Sequence, residues 1–194
     1  MTAISGIFAN LPGLELIPPE SIQRWLPTRY DAHVLENFLA NRIIYPQTVA
    51  LTKEDHSIDK AILQEYIVRN PSFFYNPLSH RLIIPLDLIN HLPPINEIIP
   101  LFCNILNIAG NTQIFISEKN SLKLEGSITD PAVSPSEKMI EITLNGTKQT
   151  VPFGGVYHFS LDAEHIKLKI DGTNEIMVSG GKLGVTIDLR KKVT

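Results

Sequence analysis

Three residues late in the chain have the types that acid–base or metal chemistry requires. His158, Asp162 and His165 bracket the segment HFSLDAEH. Two imidazoles and a carboxylate gathered at one end of a sheet would suit proton transfer or a metal ion. The competing reading is a turn shaped by Asp162, with a histidine on each flanking strand. That reading needs no chemistry, and it is the one preferred.

A second stretch, SGGKLGVTIDLR from Ser179 to Arg190, has the glycines and lysine of a phosphate loop. Such a loop needs GxxxxGK[ST] between a strand and a helix, so that loop N–H groups and the helix N-terminus face the anion. Here Leu183 follows Lys182, and Leu183, Val185, Ile187 and Leu189 alternate with polar neighbours. Period-2 alternation means a strand, not a helix. The glycines are therefore expected to form a hairpin turn from EIMVS into KLGVTIDLR, with Lys182 in solvent. Gly184 marks a bulge or the close approach of another backbone.

The remaining chemistry is thin. His33 and Glu36 share a helix face but lack further ligands, and HExxH and Cys/His clusters are absent. There is no GxSxG elbow. Cys103 lies in the most apolar helix, where a thiol is an inert core residue. No metal and no cofactor is expected. A helix over 58–69 followed by a hairpin over 73–84 would make a winged-helix-like unit, with Lys60, Gln64, Arg69 and Arg81 as its nucleic-acid contacts. Asp59 and Glu65 beside them weaken that alternative.

The elements that must position these residues fall into two segments. Of 14 prolines, all but Pro131, Pro135 and Pro152 lie at or before Pro100, while most of the 11 glycines lie from Gly110 onward. The expected boundary is Ala109–Thr112, dividing residues 1–109 from 110–194. The first segment opens with a Pro-containing arm, residues 1–19. Helical spacing then runs over Tyr30–Ile44 (Val34, Leu35, Phe38, Leu39, Ile43) and from Ile58 to Arg69, with Ser57 as N-cap. FFYNPLSHRLIIP has the composition of a hairpin. A third helix over 95–109 is apolar around most of its circumference, which predicts burial on several sides.

The second segment predicts eight short strands. Asn145–Gly146 is a two-residue hairpin signal, because a type I′ turn needs positive φ at both positions. HIKLKI alternates Ile166, Leu168 and Ile170 with lysines, so one sheet face is dry and the other wet. The expected fold class is α+β: a helical N-terminal region with a small β-hairpin, then an antiparallel β-sandwich or β-roll.

Composition sets the functional classes. Charged residues make up 19% and the net charge is −3, which argues against a general polyanion binder. One cysteine, no basic leader and no apolar run near 20 residues point to a cytoplasmic chain with no membrane partner. Mean hydropathy is slightly positive, +0.06, and charge is sparse, as where extra apolar surface is covered by a partner. The expected function is therefore non-catalytic assembly, with a protein partner or as a homo-oligomer. The arm (Ile7, Phe8, Leu11, Leu14), the 95–109 helix (Ile98, Phe102) and the β-domain edges would carry the contacts.

Overall fold

A computed structural model describes residues 8, 11–91, 95–108, 110–118, 121–131, 139–170 and 173–190. The chain enters through a 3₁₀ turn at Leu14–Leu16, the short helix α1 (Pro19–Ile22) and a second 3₁₀ turn at Gln23–Trp25. Helix α2 (Ala32–Ile44) starts where Asp31 Oδ1 accepts a hydrogen bond from the His33 amide at 2.9 Å. Helix α3 (Lys53–Arg69) begins one turn earlier than its apolar stripe suggests. Its cap is Thr52, not Ser57. The Asp55 amide donates to Thr52 Oγ1 at 3.0 Å, and the Thr52 amide donates to Asp55 Oδ2 at 3.0 Å. Two orphan donors are thus satisfied reciprocally. Ser57 sits inside the helix and donates back to the Lys53 carbonyl.

Helix α4 (Pro71–Phe74) leads into a hairpin of β1 (Tyr75–Asn76) and β2 (Arg81–Pro85). Next come α5 (Leu86–His91) and α6 (Ile95–Leu106). Ile98, Ile99, Leu101, Phe102 and Cys103 of α6 are buried. Eight strands follow: β3 (Thr112–Glu118), β4 (Ser121–Thr129), β5 (Met139–Leu144), β6 (Thr147–Pro152), β7 (Val156–Phe159), β8 (His165–Ile170), β9 (Ile176–Ser179) and β10 (Val185–Asp188). Asn145 and Gly146 both have positive φ, 47° and 85°, as the β5–β6 turn requires.

The strands make two sheets, one of six strands in the order β1-β2-β3-β4-β10-β7 and one of four in the order β6-β5-β8-β9. The second is antiparallel throughout. The first is mixed: β2 runs parallel to β3, and β4 parallel to β10. A parallel pair needs a long crossover, and α5–α6 supply it between β2 and β3. The six-stranded sheet thus crosses the composition boundary near residue 109. β2 is one of its internal strands, not a free wing.

Alternation along the strands sorts side chains into three layers. Leu82, Ile84, Ile114, Ile128 and Leu183 share one core with the helices, of which α4, α5 and α6 meet the strands directly. The opposite face presents Val185, Ile187 and Leu189, which join Ile142, Leu144, Ile166, Leu168 and Val178 of the four-stranded sheet. The order is helices, mixed sheet, antiparallel sheet. Val34 and Ile43, placed in the α2 stripe by spacing, are instead exposed, because only the Leu35–Leu39 side of that helix meets the core.

Buried charge ties the helical layer together. Arg42 and Asp59 join α2 to α3 by a bidentate pair at 2.8 and 2.9 Å. On another face of α3, Glu65 accepts from Trp25 Nε1 at 2.9 Å and pairs with Arg24 at 2.6 Å and Arg69 at 2.7 Å. Burial by itself would raise the Glu65 pKa; hydrogen bonds from Trp25, Arg69 and Ser21 and the Arg24 charge outweigh it, and the net shift is downward. A carboxylate whose folded pKa lies below its unfolded value adds stability above the unfolded value, near 4.3. That stability is lost as pH falls through the folded pKa. Urea unfolding followed by Trp25 fluorescence should show Glu65→Gln markedly weaker than the wild type at neutral pH. The gap should close as the pH drops below about 4. A gap independent of pH would assign the loss to packing and not to charge.

Candidate functional site

The structure separates the three residues first considered for acid–base work. His158 lies on β7 and faces the helical layer, its Nδ1 2.9 Å from Thr186 Oγ1 and its Nε2 3.4 Å from Ser160 Oγ. Burial lowers its pKa, which keeps the ring neutral at pH 7. Asp162 is exposed in the β7–β8 connection, and His165 is exposed at the start of β8 in the other sheet. Among the described residues no three His, Cys, Asp or Glu side chains gather as a metal site would require. His33 and Glu36 do meet, at 3.0 Å, as an exposed pair on α2.

Lys60, Gln64, Arg69 and Arg81 do not form one surface. Lys60 lies 3.5 Å from Glu97, Arg69 is bound to Glu65, and Arg81 stacks over the Phe115 ring at 5.3 Å. Gln64 is half-buried on α3, most of whose circumference is occupied by Ile58, Ala61, Ile62, Leu63, Tyr66 and Ile67. The helix nominated for a DNA groove is the centre of the helical layer. Of the apolar residues nominated for contacts, Phe8, Leu11, Leu14, Ile98 and Phe102 are all buried in the chain's own first core. Ile7 lies outside the described residues.

The Ser179–Arg190 stretch is a corner between sheets. It leaves β9 in the four-stranded sheet and enters β10 in the six-stranded one, so it is not the hairpin that the glycines suggested. The Lys182 amide donates to Glu125 Oε2 at 3.0 Å, and the Leu183 amide donates to the Glu125 carbonyl at 2.7 Å. Glu125 is the extra residue of a β-bulge, since Ile114 pairs with Gly126 and Phe115 with Leu124. The bulge aims a carboxylate at the corner, where Lys123 Nζ, 2.5 Å away, also meets it. Gly184, with φ +58°, brings the corner against the Phe159 backbone, the close approach its sequence position implied. The lysine side chain stays exposed.

Two features stand out on the face opposite the helices. The first is β9, an edge strand with Ile176 39% and Met177 59% exposed. The other edge of that sheet, β6, is polar in its exposed positions and carries Lys148 and Pro152. The second is a cleft of about 250 Å³ between β9 and the mixed sheet. Its wall is β4, where Ser127 and Thr129 share one face, beside Gln113 of β3. Both hydroxyls are buried, and neither has a hydrogen-bond partner among the described residues. Sequence reasoning passed over these residues. The available signal was the polar alternation Glu125, Ser127, Thr129 in a strand that the topology makes central.

Comparison with protein-family models, curated proteins and solved structures returns no match, so the functional reading rests on this geometry.

Proposed function

We propose that this chain is a non-catalytic assembly subunit that associates with a second copy of itself through the β9 edge. The observation that carries the reading is the contrast between the two edges of the four-stranded sheet. An edge strand presents unpaired N–H and C=O groups, and proteins blunt such edges with lysine, proline or covering elements. β6 follows that rule. β9 has no lysine, arginine or proline and exposes Ile176 and Met177. Edge-to-edge pairing of two β9 strands about a two-fold axis would extend the sheet and cover those side chains. Low charge and a mean hydropathy of +0.06 accord with surface that is covered in use.

This reading moves the contacts away from the arm and the 95–109 helix, where Phe8, Leu11, Leu14, Ile98 and Phe102 are spent on the internal core. Size-exclusion chromatography with light scattering tests it. The wild type should run as a dimer. Met177→Lys, which places a charge on the pairing edge, should run as a 21.7 kDa monomer with an unchanged circular dichroism spectrum. A wild type that stays monomeric at every concentration would overturn the proposal.

A further inference from the structure

We infer that the cleft beside β9 is a binding site for a small, uncharged, polyhydroxylated molecule, of the class of a single sugar ring or a cyclic polyol. Ser127 and Thr129 are 5% and 1% exposed, and their hydroxyls find no partner among the described residues. A buried hydroxyl with no partner is costly, and native proteins rarely keep two side by side. Here the two stand at i and i+2 on β4, roughly 6–7 Å apart along the strand. That is about the span of one six-membered ring with its substituents.

The rest of the lining sets the ligand's chemistry. Asn111, Gln113 and Ser179 add amide and hydroxyl groups that both donate and accept. Among the described residues no Asp, Glu, Lys or Arg lines the cleft, and the one ionisable side chain among them, His80, is at an exposed position. A lining of mixed donors and acceptors without fixed charge matches alcohol groups, which also do both. An anion would call for a cation in the lining, and a cation for a carboxylate. Met177 supplies an apolar surface for ring C–H groups. The volume falls below the roughly 300–1,000 Å³ of sites for drug-sized ligands, which favours a single ring.

Ser127 and Thr129 lie on β4, so changes there probe the cleft without altering the β9 edge, although Met177 and Ser179 of that edge also line it. Ligand-observed NMR with glucose, N-acetylglucosamine and myo-inositol tests it, with glucose 6-phosphate as the charged comparison. At least one neutral probe should bind with a Kd of about 1 mM or tighter. The double variant Ser127→Ala/Thr129→Val should weaken that binding at least about tenfold while its melting temperature holds or rises, since it removes unsatisfied hydroxyls. Its oligomeric state should match the wild type, which separates failure here from failure of the assembly proposal. Should the double variant not fold, Gln113→Ala at the cleft wall carries the same expectation. The inference is overturned by silence from every neutral probe at about 10 mM, by unchanged binding in the variants, or by tighter binding of the phosphate ester.

Discussion

Asp59→Ala should destabilise the fold by about 3–5 kcal/mol. The Arg42 and Asp59 side chains are 5% and 1% exposed, and the guanidinium also lies over the Phe38 ring at 4.7 Å. Removing the carboxylate leaves the guanidinium buried between α2 and α3 without its bidentate partner, with the Asp55 charge as its nearest remaining compensation. Against a total stability of about 5–15 kcal/mol for a typical domain, that is a large share. The converse experiment separates two causes. Replacing both residues together, Arg42→Met with Asp59→Leu, removes the desolvation cost along with the attraction and should leave stability unchanged or higher. Urea unfolding by circular dichroism reads both. A loss below about 1 kcal/mol for Asp59→Ala would mean that the pair behaves as a solvated surface contact.

Gly184→Ala should cost about 2–6 kcal/mol, from left-handed backbone and steric overlap together. With φ at +58°, a β-carbon at 184 would run into the Phe159 carbonyl oxygen. That oxygen belongs to β7, which pairs with β10 in this register, Val185 opposite Phe159. It cannot withdraw without breaking the edge of the sheet. Gly146→Ala is the control. Its φ of +85° is equally unfavourable, but nothing lies within 4 Å of the added carbon. It should lose only about 1–2 kcal/mol. Equal losses at both sites, read as shifts in urea midpoint at constant slope, would show that the backbone at Phe159 yields.

These two sites also show how far local sequence reaches. Gly184 was legible as a place of close approach, because glycine inside an alternating strand has few other uses. Its neighbour was not, since that requires knowing which strand lies beside β10. The Arg42–Asp59 pair was illegible: each residue occupies an ordinary polar position on its own helix, and only the packing of α2 on α3 buries them. The same holds for Ser127 and Thr129. Alternation alone puts them on one face of β4, and they became a cleft wall when β9 came to lie against β4.

By itself the sequence determined the elements whose causes are short-range. The Asn145–Gly146 turn follows from its need for positive φ, the β8 strand from strict alternation, and the burial of α6 from apolar residues around most of its girth. The α+β class followed from the order of those elements. Tertiary structure alone decided the rest: which sheet receives β10, the parallel pairings β2–β3 and β4–β10, and the mixed sheet between two other layers. Alternation says which side chains share a face but not which strand or layer covers it. A Gly-Gly pair turns a chain equally well into a hairpin or across to another sheet. The choice between them is made by long-range partners, here the Glu125 carboxylate and the Phe159 backbone.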